Sequence, residues 1–258
     1  MTNCPICNFN TDFLTSKKNR FKDQYDYLIC KNCRLLFEKN LVLDSKKLGI
    51  QVSKIYQDDY FQKVDAGWVV RGNEFLRIIK KIVKIYGLIK NKKNISILDY
   101  GGGNGYLASK LAESYNVFYY DKYEKPTIEG KYKILNKPNR VDVIYAVELV
   151  EHVTDIKEWD FLKELSPDIF VFTTGLSDNI KKSDLKNWEY LNPDAGHMAL
   201  YSTKSLYLLG RKYGFAYVFF PNISCHIFIK NKFLSKINFV KVEYFVYNIL
   251  RGIKNLIK

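Results

Sequence analysis

The sequence has no uninterrupted apolar run long enough to cross a bilayer. Its first residues, Met1-Thr2-Asn3-Cys4-Pro5, lack the charged-then-apolar form of a secretion signal, so the expectation is a cytoplasmic protein. Arginine is scarce: seven of the 41 basic residues are Arg and the rest are Lys. Arg is the usual side chain for planar recognition of phosphates and bases. The formal net charge of +14 therefore argues less for a nucleic-acid partner than its size suggests. Histidine is scarcer still. His152, His197 and His226 are the only side chains with an unperturbed pKa near neutrality. Apolar content is not lacking: 47% of 258 residues are hydrophobic, which excludes disorder and suits one full domain with smaller attachments. The charge is unevenly spread, with +10 in residues 1–94, −1 in 95–230 and +5 in 231–258.

Four of the five cysteines form two C-x-x-C pairs, Cys4/Cys7 and Cys30/Cys33, separated by 22 residues. A two-residue spacer lets both thiolates of a pair reach one tetrahedral ion, and two such knuckles supply four ligands. Phe9, Phe13 and Leu14, then Tyr25, Tyr27, Leu28 and Ile29, predict a hairpin between the knuckles. The expectation is a zinc ribbon over residues 1–45. Its Zn2+ is structural, because four protein ligands leave no open position. A redox pair needs a thioredoxin-like setting that neither C-x-x-C has, and a disulfide framework does not suit a cytoplasmic chain. Cys225, in the apolar run 223–229, reads as a buried strand residue.

Residues 46–94 connect the ribbon to the main domain. Phe75, Ile78, Ile79, Ile82, Ile85, Tyr86 and Ile89 recur at three- and four-residue spacing, which predicts an amphipathic helix with Gly87 near its end. Tyr56, Tyr60, Phe61 and Trp68 upstream suit packing, or a lid over a site. Residues 95–99 then predict a short strand, followed by Tyr100-Gly101-Gly102-Gly103-Asn104-Gly105 and a helical stretch from Tyr106 to Glu113. A strand, a glycine turn and a helix open a doubly wound α/β domain that cradles a nucleotide. The absence of a following Lys-Ser/Thr excludes a P-loop. Asn116 to Tyr120 forms the next strand and ends at Asp121, an acid placed to accept hydrogen bonds from both ribose hydroxyls of an adenosine-containing cofactor. A further strand runs through Val141 to Val147 into Glu148-Leu149-Val150-Glu151-His152.

At this point the chain resembles class I S-adenosylmethionine-dependent methyltransferases. The loop Leu98-Asp99-Tyr100-Gly101-Gly102-Gly103-Asn104-Gly105 is similar to their first motif, Asp121 to their ribose-binding acid, and 147–153 to the segment after their fourth strand. Residues 169–174 resemble the fifth strand, Gly196 to Ser202 the late loop, 205–215 the final helix, and 217–220 with 224–229 the sixth and seventh strands. With a ribbon in front, the order is similar to bacterial methyltransferases of surface-polysaccharide and sugar biosynthesis. The resemblance implies a Rossmann-like seven-stranded sheet with S-adenosylmethionine held by Asp99, Gly101, Gly103, Gly105 and Asp121. It departs from the pattern at Asn8, where a ribbon knuckle usually carries Gly, and near Leu135-Asn136, where no acid marks an adenine contact.

The expected organisation is a zinc ribbon (1–45), a helical connecting segment (46–94), a methyltransferase domain (95–230) and a basic amphipathic C-terminal helix (231–258). In the last, Lys232, Lys236, Glu243, Arg251, Lys254 and Lys258 share one arc, suiting a homodimer contact, packing on the domain or an anionic membrane surface.

Methyl transfer needs donor and acceptor aligned and, for a hydroxyl acceptor, a base. His197 lies in the loop that the resemblance places near the acceptor, as base or substrate contact, or as a structural histidine. His152 suits helix capping or an active-site role. Glu148 stands at a strand's carboxyl end as cofactor contact, base or ion ligand, with Glu151 a solvated or ion-paired helix residue. Glu148, Glu151 and His152 together are a candidate divalent-metal set. His226 reads as structural. Trp188 and Tyr190 suit stacking on a sugar or base, or the core. The acceptor implied is a hydroxyl or phosphoryl-linked group of a nucleotide-activated precursor of capsule or lipopolysaccharide. The alternative is an RNA methyltransferase docking through its basic ribbon, against which no Asn/Asp-Pro-Pro-Tyr motif and no Pro-Cys nucleophile occurs in 95–230.

Overall fold

The computed structural model of the chain describes residues 2–56, 68–136, 140–178, 180–220 and 224–234. Tyr60 and Phe61 of the aromatic stretch, and the tail beyond residue 234, lie outside the described residues. In chain order come β1 (Thr11–Lys18), β2 (Gln24–Cys30), β3 (Leu36–Glu38), α1 (Asn40–Leu43), α2 (Ser45–Ser53) and α3 (Trp68–Lys90). Next are β4 (Ser96–Tyr100), α4 (Tyr106–Ala112), β5 (Asn116–Tyr120), β6 (Lys133–Ile134), β7 (Val143–Val147), α5 (Phe161–Glu164) and β8 (Ile169–Thr173). The chain ends in β9 (Ala199–Leu200), α6 (Thr203–Lys212), β10 (Phe215–Phe220), β11 (Cys225–Lys230) and α7 (Asn231–Leu234). Among the described residues, no helix is long and apolar enough to cross a membrane.

A seven-stranded sheet has the order β10-β11-β8-β7-β4-β5-β6, parallel except for β11, which runs antiparallel to both neighbours. The sheet is doubly wound and Rossmann-like, and β4, where the order reverses, puts the glycine loop at its topological switch point. Side chains alternate along its central strands, because successive Cβ atoms of a strand point to opposite faces. Ile97, Val143, Tyr145, Ile169 and Val171 face one cluster with the buried stripe of α3 (Phe75, Ile78, Ile79, Ile82) and with Leu107 and Leu111 of α4. Leu98, Ile144, Ala146, Phe170 and Phe172 face the other, which is continuous with Trp159, Phe228 and the apolar residues of the N-terminal module.

That module is a sheet of order β1-β2-β3-β9, so its fourth strand comes from residues 199–200, far along the chain. Leu36 pairs with Leu200 and Phe37 with Ala199. The resemblance to class I methyltransferases implies a loop from Gly196 to Ser202. Two residues are too few for any periodicity to signal a strand, and Ala199–Leu200 becomes one only because β3 offers an open edge. Several cationic side chains of the module are committed inward. Lys17 donates to the Leu191 carbonyl at 2.6 Å, Arg20 to that of Ile55 at 3.0 Å, and Arg34 to those of Ser177 and Ile180 at 3.2 and 3.0 Å. Part of the N-terminal positive charge thus fastens the module to the rest of the molecule.

Candidate active site

The glycine loop is shaped by contacts that leave no room for side chains. Gly101, Gly103 and Gly105 have φ of +75°, +52° and +84°, in the region where glycine is unpenalised. A Cβ at Gly101 would lie 2.5 Å from the Leu149 side chain, and one at Gly102 2.8 Å from the Asp99 carboxyl carbon. The Gly101 amide donates to the Tyr120 carbonyl at 2.8 Å, tying the loop to the end of β5. Asp121 closes that strand. Its Oδ2 accepts from the Gly103 amide at 3.0 Å and its Oδ1 from the amides of Tyr123 and Glu124 at 2.8 and 2.9 Å. A carboxylate offers about four acceptor positions and the three amides take three of them, so one on Oδ2 remains for a ribose hydroxyl. Asp99 is 2% exposed, and among the described residues its Oδ2 has no hydrogen-bond partner, although the residue lines a cavity. Burial pushes its carboxyl up to about 7, with the Asp121 charge adding to the effect. An orphaned carboxyl oxygen, a glycine cradle and a strand-end acid suit a cofactor that carries an ammonium group and a ribose.

The cavity measures about 980 Å³ and runs from this loop to a cluster of histidine, glutamate and tyrosine. Glu148 follows β7 with φ +48°, a conformation sparsely used outside glycine. Its amide is held by Thr173 Oγ1 at 3.0 Å. His197 is 8% exposed, and its Nδ1 lies 2.6 Å from the Tyr190 carbonyl. A carbonyl only accepts, so Nδ1 carries a proton, and in the neutral ring Nε2 holds the lone pair. His152 Nδ1 lies 2.6 Å from Tyr56 Oη and 3.2 Å from the Gly196 carbonyl, and the ring also hydrogen-bonds the Glu148 carbonyl. Burial, with His197 beside it, holds His152 well below the usual histidine range, so it is neutral. The two imidazoles meet edge to face with centroids 4.9 Å apart. Donor atoms of Glu151, His152 and His197 fall within 4.8 Å of one another. The hydrogen bonds of His152 and the Tyr190 bond to Glu151 nevertheless knit this trio to the protein.

Glu151 is a correction. Its sequence position predicts a solvated or ion-paired helix residue, yet it is 0% exposed and accepts from the Tyr190 hydroxyl. A short 3-10 turn over Val150–His152 replaces the expected helix start and turns the side chain inward. Asp99, Gly101, Gly103, Asp121, Glu148, His152 and His197 all line the one cavity, together with Trp188 and Tyr190. Gly105 does not; it stands at the N-terminus of α4, behind the loop. His226 lies in β11, between the rings of Phe172 and Phe219, with Nε2 3.0 Å from the Thr174 carbonyl. Cys225 is buried in the same strand. Leu135 and Asn136 are not on the cavity wall; the loop after β5 (Lys122, Tyr123, Glu124) supplies that side. Tyr56 and Tyr123, stacked with centroids 5.6 Å apart, form part of the wall. For Tyr56 the aromatic cluster was the signal, but nothing in sequence paired it with His152.

The four N-terminal cysteines place one sulfur each within 4.8 Å of the others, and Cys4–Cys33 and Cys7–Cys30 approach to 3.5 and 3.4 Å. All four are free thiols, and that spacing fits a tetrahedral ion with metal–sulfur bonds of about 2.3 Å. The usual knuckle glycine is replaced by Asn8 at φ +56°, which Asn tolerates better than most residues.

A doubly wound sheet with a glycine loop and ribose-directed acid at its switch point, and a base-bearing cavity beyond, defines a Rossmann-like group-transfer enzyme. Residues 71–218 match the family model described as a methyltransferase domain, and the chain belongs to that family. It is an S-adenosylmethionine-dependent methyltransferase. No curated protein matches the sequence. Among solved structures, the chain is similar to the plantazolicin methyltransferase BpumL in complex with SAH, at 16% identity over 74% of this chain and 99% of that one, with a TM-score of 0.46. It is similar to the magnesium protoporphyrin IX methyltransferase ChlM from Synechocystis PCC 6803 with bound SAH at 13% identity, over 72% and 95% of the chains, TM-score 0.43. The bifunctional kinase-methyltransferase WbdD matches at 11% identity over 71% and 46%, TM-score 0.43.

Proposed function

We propose that the enzyme methylates a small acceptor, a hydroxyl or phosphoryl-linked group of a nucleotide-activated precursor for capsule or lipopolysaccharide. The observation that carries this reading is the cavity. It joins the cofactor loop to His197, whose tautomer is fixed, and it is walled by Trp188, Tyr190 and Tyr56. Aromatic faces beside a base suit a sugar ring presenting one hydroxyl. In this reading Asp99, Gly101, Gly103 and Asp121 hold S-adenosylmethionine, which supplies an electrophilic methyl group when bound, and Gly105 starts the helix behind it. His197 Nε2 takes the acceptor's proton, and the Tyr190 carbonyl holds the resulting imidazolium in place. His152, neutral, supports the His197 ring and ties Tyr56 to the wall. Cys4, Cys7, Cys30 and Cys33 hold a structural Zn2+.

The test is transfer of radiolabelled methyl from S-adenosylmethionine to a panel of nucleotide sugars and, in parallel, to total RNA. Label on a nucleotide sugar, little affected by salt, supports the proposal. Label on RNA that falls steeply between about 50 and 200 mM salt supports the RNA alternative suggested by the basic N-terminal region. Asp121→Ala serves as the binding control. Hydrogen bonds to a charged group are worth about 1.5–3 kcal/mol, so S-adenosylmethionine affinity by calorimetry is expected to fall about 10- to 100-fold.

A further inference from the structure

The main cavity is acidic. Among the described residues that line it, Lys122 is the only lysine or arginine, against Asp121, Glu124, Glu148, Asp184 and Glu189. A diphosphate placed there would meet several carboxylates and one cation, and like charges close together repel. A second, shallower cleft of about 420 Å³ adjoins the cavity, with Lys122 and Glu158 on the walls of both. The cleft adds Lys46 and Lys157, the hydroxyls of Ser45 and Thr154, and Gly49, which puts no side chain into it.

The two acids of the cleft are already engaged. Asp155 Oδ2 accepts from Ser45 Oγ at 2.9 Å, and its Oδ1 from the Lys157 amide at 2.9 Å. Glu158 Oε1 accepts from the Thr154 hydroxyl at 2.9 Å and from the amides of Thr154 and Asp155 at 3.1 and 3.2 Å, and Lys122 Nζ approaches it at 3.4 Å. Both carboxylates thus cap the 3-10 turn over Ile156–Asp160. Lys46 and Lys157 are exposed, and among the described residues neither forms an ion pair. Lys46 also stands in the first turn of α2, the helix end that favours an anion.

We propose that this cleft is a diphosphate subsite, in which Lys46, Lys122 and Lys157 receive the diphosphate of the acceptor while its sugar lies in the cavity. An aromatic wall joins the two. The rings of His152 and Tyr56 have centroids 5.8 Å apart and those of Tyr56 and Tyr123 5.6 Å, and Lys122 Nζ lies 5.0 Å from the Tyr123 ring centre. A sugar on these faces has the histidines at one end and the first lysine of the cleft at the other. Lysine binds phosphate as a point charge, so the scarcity of arginine is no obstacle. Naming the acceptor as the source of the diphosphate rests on the nucleotide-activated reading. The affinity of the cleft for a diphosphate does not, and the two fail separately.

The test is calorimetry of the full chain, zinc-loaded and saturated with SAH, titrated with inorganic diphosphate, UDP and uridine. Both diphosphates are expected to bind more tightly than uridine, and Lys46→Ala/Lys157→Ala to weaken both about tenfold. Neither lysine lines the main cavity, so SAH affinity is expected to stay within about twofold of wild type. Lys84→Ala/Lys93→Ala removes the same charge from exposed positions outside both cavities and is expected to leave diphosphate binding as it was. No diphosphate binding by the wild type, or equal losses in the two double variants, overturns the subsite. Methyl transfer to nucleotide sugars identifies the source. A KM raised about tenfold with kcat retained in Lys46→Ala/Lys157→Ala supports the acceptor as that source, and an unchanged KM overturns it. If no nucleotide sugar is methylated, the acceptor as source fails with that reading, and calorimetry alone decides the cleft.

Discussion

Asp99 shows how one buried carboxyl links cofactor site and stability. Its folded pKa of about 7 lies above the ordinary carboxylate value, so the folded state holds a proton that the unfolded chain has lost. That contribution is complete below about pH 4 and disappears as pH rises through about 7. At about 1.4 kcal/mol per unit, Asp99 accounts for at most about 3 kcal/mol of lost stability between pH 5 and pH 8. Urea unfolding at those two pH values is expected to show a smaller fall for Asp99→Asn than for wild type; equal falls would refute the assignment. Glu38, pushed up to about 7 by its own burial, contributes equally in both proteins. Asp99, Asp121 and His197, which line one cavity, could be singled out in the sequence because a strand end, a glycine turn or a scarce residue type marks each one. The inward turn of Glu151 was not legible, because whether a carboxyl near a strand end points to water or to the core depends on the turn after it.

At the scale of elements, local pattern announced the glycine loop, α3 and the strands β4, β5 and β7, and the resemblance to class I methyltransferases added β8, β10 and β11; β6, two residues long, carried no signal of its own. The loop's tightness was less visible, since it depends on Leu149 arriving from another strand end. Gly101→Ala must accept both φ +75° and a Cβ 2.5 Å from Leu149. It is expected to lose about 1–3 kcal/mol of stability and to bind S-adenosylmethionine more weakly, read by denaturant melts and calorimetry. An Ala variant with wild-type affinity would show that the loop is not the cofactor cradle. The strand β9 was illegible for the opposite reason. Its pairing is decided by an edge more than 150 residues away, and no local pattern carries that information.

For the whole molecule, the N-terminal module is a brace for the segment that carries His197. The Tyr27 hydroxyl donates to the His197 carbonyl at 2.9 Å, the Glu38 amide to the Met198 carbonyl at 2.8 Å, and Ser202 Oγ to the Cys33 carbonyl. Structural zinc sites contribute about 10–16 kcal/mol, as much as most domains have in total. A strong chelator is therefore expected to lower Tm by about 10 °C or more and to abolish methyl transfer, both restored by one equivalent of Zn2+. Unchanged activity in protein shown by metal analysis to be zinc-free would sink the brace. The shared sheet also imposes an order on synthesis. Phe37 leaves the ribosome 162 residues before its partner Ala199. At about 5–20 residues per second, β3 waits roughly 8–30 s as an open strand edge. Over that interval the nascent chain presents an unpaired β-edge to every other chain nearby, which makes it a natural client for a chaperone on the ribosome.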